Sequence, residues 1–280
     1  MSILKSKTAA IGWTIEPCFI ITLHIKDLEL LKAIHGFFKV GSIRIVNGKF
    51  AQYRVRNRQE LPVIIDHFNK YPLHTSKMIN FAYFCEILDL MSYKIHTKVN
   101  GFLKLISLIN NLNKKINNSV LDKLAYLGIL PIVQIELPIL NKNPILNPNW
   151  ISGFIVGEGC FTYFTRSRVN SKGNIVKDYT IVMEVSQDNK DLFILNSIKD
   201  YFKIGKVYTD TRRVSRFRLT SKDEIINTIV PYFENYPLDG HKALQFSTWI
   251  QIVNILAMEQ VRTTDRDNKV EKLIKDLSSL

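Results

Sequence analysis

The sequence has few of the features that mark membrane, secreted or zinc-binding proteins. It contains no charge-free apolar run of about 18 residues, so no membrane-spanning helix is predicted. Its N-terminus lacks the apolar core of a secretory signal. Cys18, Cys85 and Cys160 are odd in number, far apart and without a C-x-x-C pair. This pattern favours reduced thiols and indicates no zinc site.

What the 280 residues do contain is an excess of positive charge. Lysine and arginine number 38 against 25 acidic residues, which gives a net charge of +13 and a pI of about 9.5. That balance predicts a polyanionic partner, with nucleic acid first and an anionic membrane second. Because 46% of the residues are hydrophobic, the chain can bury a core and intrinsic disorder is excluded.

An apolar stretch with small residues and one terminal acid occupies residues 150–161, which read WISGFIVGEGCF. In a helix, Gly153 and Gly157 lie on one face, and small residues four apart favour close packing against another backbone. Gly159 fits a left-handed helix stop. Glu158 then lies at the C-terminal tip, where its charge opposes the helix dipole and a divalent metal would compensate it.

The second half of the chain repeats landmarks of the first half. FFKVG at residues 37–41 matches YFKIG 164 residues further on, and YPL at residues 71–73 recurs 165 residues further on. Lys77 falls opposite Lys242 at the second offset. Matched landmarks in one order and at nearly one offset predict a tandem duplication of one unit.

The repeated unit is predicted to be α+β. Residues 14–25 are rich in β-branched and aromatic side chains and predict one buried strand. Apolar residues at helical spacing predict a helix over Leu28–Phe38. Ser42–Val46 and residues 49–58 predict a hairpin, because Asn47-Gly48 between them is a strong turn signal.

Residues 151–159 resemble the nine-residue signature of the LAGLIDADG family of homing endonucleases and intron maturases. The resemblance covers nearly the whole chain, because two-repeat single-chain members consist of two α-β-β-α-β-β-α units that form a DNA-binding saddle. It implies that Glu158 is the metal-binding acid, with Gly159 beside it at a site for Mg²⁺.

The same resemblance implies roles for three further residues. Gln187 matches a position at which relatives place a water-positioning glutamine. Lys242 and Lys77 match a basic position close to the scissile phosphates, where a lysine could stabilise the pentavalent phosphate.

The resemblance also predicts the domain limits. The first repeat is expected to cover residues 1–118, a linker residues 119–147, the second repeat residues 148–265 and a C-terminal tail residues 266–280. The first-repeat counterpart of Glu158 falls before Met1, and no Asp or Glu precedes Glu16. The first motif helix and its acid are therefore expected to be absent, with weakened metal binding and no efficient double-strand cleavage. An upstream start, a fragment and a degenerate copy each remain open as the reason.

Alternating arginines predict contacts with nucleic acid. Arg54, Arg56 and Arg58 should share one face of a strand, as should Arg216 and Arg218 in the second repeat. A sheet with one basic face is suited to reading bases in the major groove. The complete set of predicted nucleic-acid-binding residues is Lys49, Arg54, Arg56, Arg58, Arg166, Arg168, Lys206, Arg212, Arg213, Arg216 and Arg218.

The predicted function is that of a site-specific endonuclease that acts on double-stranded DNA with Mg²⁺. Two alternatives stay open: a maturase that binds intron RNA and assists splicing, and a DNA-binding remnant that does not cut. The chain is expected to be a monomer with no membrane partner. Abundant Ile, Asn and Lys are compatible with an AT-rich organellar genome, and the resemblance adds a mitochondrial origin to this expectation.

Overall fold

The computed structural model describes residues 1–112, 115–169, 171, 173, 175–210, 213–259 and 261–280. The chain forms two compact units, Met1–Asn141 and Lys142–Leu280. The first unit contains β1 (Ser2–Lys5), β2 (Trp13–Glu16), β3 (Phe19–His24), α1 (Leu28–Phe38), β4 (Ser42–Val46), β5 (Phe50–Val55), α2 (Leu61–Lys70), α3 (Lys77–Ser92), α4 (Val99–Asn110) and α5 (Asn118–Leu124).

The main sheet of the first unit is antiparallel and has the strand order β3-β5-β4. In β5, Ala51, Tyr53 and Val55 are buried and alternate with partly exposed residues, so one face packs against the helices. Leu31 of α1 is fully buried in the same cluster. The predicted helix over Leu28–Phe38 and the predicted Asn47-Gly48 turn are both confirmed, and the two turn residues have φ of 51° and 65°.

The prediction of one strand over residues 14–25 is wrong, because the structure divides this segment between two sheets. β2 pairs with β1, whereas β3 pairs with β5. The break falls at Pro17-Cys18, where proline lacks the N–H that a strand interior donates to its neighbour. The β1–β2 hairpin instead buries Trp13 and Ile15 against α4 in a separate core.

The second unit contains α6 (Pro148–Glu158), β6 (Gly159–Val169), β7 (Ile175–Asp188), α7 (Leu192–Phe202), β8 (Lys206–Thr209), β9 (Val214–Leu219), α8 (Lys222–Glu224), a π-helical turn (Ile225–Ile229), α9 (Val230–Asn235), α10 (Gly240–Met258) and α11 (Thr264–Ser279). Its four strands form one antiparallel sheet in the order β6-β7-β9-β8. A single apolar cluster joins that sheet to α6, α7, α10 and α11.

The two units have the same backbone conformation at the matched segments that predicted a duplication. Lys39 and Lys203 end α1 and α7 in the left-handed region, each with φ of 57°. Gly41 and Gly205 follow with φ of 82° and 75°. A Cβ at Gly41 would lie 2.5 Å from the Arg54 carbonyl oxygen, and one at Gly205 would lie 2.6 Å from the Phe217 ring. The α+β duplication is confirmed.

Helices also occupy the segments predicted as linker and tail. α5 lies within the first unit and buries Leu124 in the α4 core. α11 buries Val270, Ile274 and Leu277 in the core of the second unit. Residues 266–280 are therefore packed, and the unit boundary lies between Asn141 and Lys142. The repeat limits 1–118 and 148–265 stay predictions. Among the described residues, no helix combines the length and apolar character needed to cross a bilayer.

Candidate metal site and nucleic-acid interface

Helix α6 is held in the second unit by hydrogen bonds in its N-terminal half. The Asn147 side chain caps its first turn by accepting from the Asn149 backbone N–H at 2.8 Å. The Tyr232 hydroxyl donates to the Pro148 carbonyl at 2.7 Å, and the Ser152 hydroxyl donates to the Tyr236 carbonyl at 2.7 Å. These bonds hold the N-terminal half of α6, and the fully buried side chains of Ile151 and Ile155 pack it into the core of the second unit.

The predicted left-handed stop at Gly159 is wrong. Gly159 is extended, with φ of −78° and ψ of 150°, and it is the first residue of β6. A Cβ there would lie 2.5 Å from the Ile155 carbonyl oxygen, so close approach is what requires glycine. The helix runs directly into the strand, and Glu158 lies exposed at the junction. Among the described residues, the Glu158 carboxylate makes no hydrogen bond or ion pair.

Lys242 lies in the first turn of α10 and reaches this junction. Its Nζ donates to the Gly159 carbonyl oxygen at 2.7 Å. Burial raises the pKa of the neighbouring Cys160 thiol, and the Lys242 charge opposes that rise. The Gly159 carbonyl, which was predicted to lie at the metal site, thus accepts a hydrogen bond from the Lys242 ammonium group. Gly159 directly follows Glu158 in the chain.

Gln187 lies inside β7, which corrects the prediction that it follows a strand. Gly159 pairs with Val185 of β7. Gln187 lies two residues further along β7, about 7 Å from Val185 and on the same sheet face as Val185. Register therefore places Gln187 at the α6–β6 junction. Lys77 is exposed at the start of α3 in the first unit. The roles of both residues stay predictions.

The predicted helix interface is open within the second unit. Gly153 and Gly157 are exposed, and no described atom lies within 4 Å of a Cβ built at either position. No described residue of the second unit uses the close approach that these glycines permit, so their role at an interface stays a prediction.

The outer face of the second sheet carries the arginines that the sequence placed there. Arg216 and Arg218 alternate along β9 with buried Phe217 and Leu219. Arg218 donates to Glu184 Oε2 from Nε at 2.8 Å and from Nη2 at 2.6 Å. Arg216 Nε lies 3.2 Å from Glu184 Oε1. One carboxylate therefore holds both arginines.

The remaining basic residues predicted in the second unit differ in their surroundings. Arg166, Lys206 and Arg213 are exposed. Arg168 donates from Nε to Asp178 Oδ2 at 2.8 Å. Arg212 lies outside the described residues. A basic surface on this sheet is thus available to an anion, although part of its charge is paired internally.

In the first unit, only one of the three alternating arginines lies on the strand. Arg54 is in β5, which ends at Val55 because its neighbour β3 begins at the paired residue Phe19. The prediction that Arg56 and Arg58 share its strand face is therefore wrong. Arg56 Nη2 lies 3.1 Å from Glu16 Oε2, and Arg58 Nη2 donates to the Ile15 carbonyl at 3.4 Å. Both arginines contact β2, and Lys49 is exposed in the β4–β5 turn.

Sequence reasoning missed two residues of the outer sheet face, Glu184 and Phe164, whereas Tyr208 was expected on the β8–β9 hairpin. Glu184, Phe164 and Tyr208 all contact the guanidinium of Arg218. The available signal was alternation within each strand, which places every second residue on one face. The register that brings the even-numbered positions of all four strands together is seen only in the structure. The described residues contain no group of three His, Cys, Asp or Glu side chains that could hold a metal by themselves. A metal at Glu158 would need ligands in addition to this carboxylate.

Comparison with known proteins gives one consistent result. A family model described as LAGLIDADG endonuclease matches residues 1–88 and 151–253. Two proteins of Neurospora crassa, "Probable intron-encoded endonuclease 3" and "Probable intron-encoded endonuclease 2", are each 28% identical over 96% and 99% of the chain. The chain spans 50% and 61% of their lengths, respectively.

Solved structures match at the level of the whole chain. I-SmaMI bound to an uncleaved DNA target in the presence of calcium ions superposes with a TM-score of 0.87 at 26% identity, covering 98% of this chain and 92% of that one. I-GzeII in complex with its DNA target gives a TM-score of 0.83 at 27% identity, covering 98% and 91%. Both I-SmaMI and I-GzeII are described as LAGLIDADG homing endonucleases.

Proposed function

The chain belongs to the LAGLIDADG endonuclease family, and on that premise we propose that it binds a specific double-stranded DNA site and takes part in its metal-dependent cleavage. One observation carries the proposal: the exposed Glu158 carboxylate has no partner among the described residues, and the next residue, Gly159, accepts a hydrogen bond from the Lys242 ammonium at the helix–strand junction. The similar structures were determined with DNA, which supports duplex DNA as the ligand.

The Glu158 site suits a hard divalent cation such as Mg²⁺. The carboxylate has no competing partner among the described residues of its unit, and magnesium is typically held by one or two carboxylates together with substrate phosphates. A bound cation would supply an activated water and stabilise the leaving oxygen. Glu158 would hold it, with DNA phosphates and water as further ligands.

The neighbouring side chains would act on the phosphate and on the water. Lys242 brings a positive charge to the junction, where it can stabilise negative charge that develops on the scissile phosphate. Gln187 offers an amide within reach of the same end of α6, which is suited to orienting a water. Because Lys242 is held by the Gly159 carbonyl, its position is set before DNA binds.

The outer sheet faces would hold the DNA. A net charge of +13 favours phosphate contacts throughout, and exposed Lys206 and Arg166 lie on the strands of the second sheet. We further propose a mitochondrial origin, because the similar fungal proteins are described as intron-encoded. We also propose a monomeric protein, because one chain carries both units.

The test compares Glu158→Gln with Glu234→Gln in the full-length protein. Glu234 is an exposed acid on α9 without a polar partner among the described residues, so its substitution is a matched control. Binding sites are first selected from sheared organellar DNA of a strain that lacks the intron, in calcium. Cleavage of the selected duplex is then measured in magnesium. We expect Glu158→Gln to retain binding and to lose cleavage by at least about 100-fold.

Three other results would contradict this proposal. Cleavage unchanged by Glu158→Gln would remove the metal role of this carboxylate. Specific binding without cleavage by the wild-type protein would indicate a DNA-binding remnant. Splicing assistance that survives Glu158→Gln, without specific duplex binding, would favour a maturase that acts on intron RNA.

A further inference from the structure

The Glu184 carboxylate is an unusual group for a surface that binds a polyanion. It lies on the outer face of the second sheet, with only 18% of its side chain exposed, between Arg216 and Arg218. Both of its oxygens are engaged: Oε2 accepts two hydrogen bonds from Arg218, and Oε1 lies 3.2 Å from Arg216 Nε and 3.3 Å from the Ser186 hydroxyl. Its negative charge weakens attraction to phosphate, so a contribution to DNA binding must come through the arginines it holds.

Arg218 is fixed on more than one side. Its Cζ lies 5.7 Å from the centre of the Phe164 ring and 6.0 Å from that of Tyr208, both within the range of a cation–π contact. Phe164 lies on β6 and Tyr208 on β8, so the guanidinium is in contact with side chains from both edge strands. With Glu184 on β7, residues from three strands orient one arginine of β9.

This arrangement leaves one edge of the Arg218 guanidinium available. Glu184 uses Nε–H and one N–H of Nη2. The end edge, with parallel N–H bonds on Nη1 and Nη2, has no partner among the described residues. That edge matches the O6 and N7 acceptors of guanine in the major groove.

We propose that Glu184 is a positioning residue that fixes Arg218 to read one guanine by a bidentate contact. This inference rests on the proposed function, because it assumes that the outer sheet face meets duplex DNA. Without Glu184, Arg218 would be free to turn toward phosphate, which carries no sequence information.

The first repeat has the same arginine without the carboxylate. Arg218 pairs across the sheet with Glu184 and Lys206, and Arg54 in the equivalent register pairs with Ile20 and Ser42. The Nε of Arg54 is buried without a hydrogen-bond partner among the described residues. A carboxylate therefore orients Arg218 but not Arg54. Strict guanine selection is proposed for the second repeat alone.

The test measures base preference and general affinity separately. Full-length wild-type protein and the variants Glu184→Ile, Glu184→Gln and Arg218→Lys are bound to the selected duplex in calcium, in competition with every single base-pair variant. Binding to unrelated duplex is measured alongside. Glu184→Ile reproduces the residue found in the first repeat, and Glu184→Gln nearly preserves shape, which guards against a folding defect.

For wild-type protein we expect one G·C pair to be preferred by roughly 5- to 150-fold, the range of a good bidentate contact. Glu184→Ile should reduce preference at that same base pair to about twofold or less. Arg218→Lys should reduce it as well, because lysine lacks the planar fork of donors that arginine presents. Unrelated duplex should bind more tightly to Glu184→Ile and Glu184→Gln, because a negative charge has been removed. A purely structural role for Glu184 would not produce this combination of lower selectivity and tighter general binding.

Two results would overturn the inference. The first is that Glu184→Ile and Glu184→Gln leave base preference unchanged at the pair that depends on Arg218. The second is an equal loss of preference at every position without tighter general binding, which would indicate a folding defect. Failure of the wild-type protein to select any duplex is a different result, because it contradicts the proposed function itself.

Discussion

The open glycine face of α6 makes an unusual prediction, in which a substitution stabilises the second unit. Gly153 lies at the middle of the helix, and a Cβ at this position meets no described atom within 4 Å. Alanine in a helix interior is favoured over glycine by roughly 0.8–1.0 kcal/mol. Gly153→Ala should therefore raise the free energy of unfolding of the second unit by about 0.5–1 kcal/mol.

Gly159→Ala is the contrasting substitution six residues further along the chain. Its methyl group would lie 2.5 Å from the Ile155 carbonyl oxygen and 2.7 Å from Ile155 Cγ2, so the helix–strand junction would have to shift. Overpacking of this kind costs about 1–3 kcal/mol. The same chemical change, glycine to alanine, should thus have opposite signs at two positions of one segment.

Native-state hydrogen exchange of α10 measures both effects. Ile252 and Val253 are fully buried in the core of the second unit, so their amides report the opening of that unit. Exchange should slow by roughly 2- to 5-fold in Gly153→Ala and should become faster in Gly159→Ala. Faster exchange in Gly153→Ala would refute the reasoning, because it would mean that the glycine face is already covered. If the face instead packs against another helix only in the active protein, Gly153→Ala should lower DNA cleavage while exchange slows.

Three further substitutions test other parts of the two units. Glu271→Gln removes the carboxylate that accepts from Lys177 Nζ at 2.7 Å and from the Tyr179 hydroxyl at 2.9 Å, contacts that lower the pKa of Glu271 below its ordinary value of 4.5. The wild-type advantage should be about 0.5 kcal/mol above pH 4.5 and should vanish as the pH falls through the lowered pKa; a difference in melting temperature that persists at pH 2 would count against this pair. Ser152→Ala leaves the backbone carbonyl of residue 236 without its 2.7 Å donor and should cost about 1 kcal/mol in urea unfolding, so an unchanged midpoint would show that water replaces the hydroxyl. Ile20→Glu supplies the missing carboxylate beside Arg54 and should weaken binding to unrelated duplex, measured by competition; tighter binding would contradict the electrostatic reasoning.

The sequence predicted correctly those elements whose signals lie entirely within their own segment. Helix α1 begins and ends at the predicted residues, because its apolar spacing is complete within Leu28–Phe38. The turn at Asn47-Gly48 is equally local. The duplication was recognisable because Lys39 and Lys203 precede a valine or isoleucine and then a glycine in both repeats, and the structure gives them the same backbone conformation.

Features that depend on a partner strand could not be predicted in this way. Alternation of Arg54, Arg56 and Arg58 describes a strand only for as long as a neighbour provides hydrogen bonds, and β3 provides none beyond Val55. The role of Glu184 depends on the register that places it opposite Arg218, which no single segment encodes. Register within a sheet therefore marks the limit of what the sequence could show about this site.

The β6–β7 hairpin extends beyond the rest of the second sheet as a two-stranded ribbon. In β7, residues 175–182 pair only with β6, because pairing with β9 begins at Met183. Eight strand residues extend about 26 Å, which equals the rise of roughly eight base pairs of B-form DNA. A ribbon of this reach, laid along a groove, would lengthen the footprint on one flank of the target by most of a helical turn. Nuclease protection of the bound duplex would record that extension as additional base pairs on a single side.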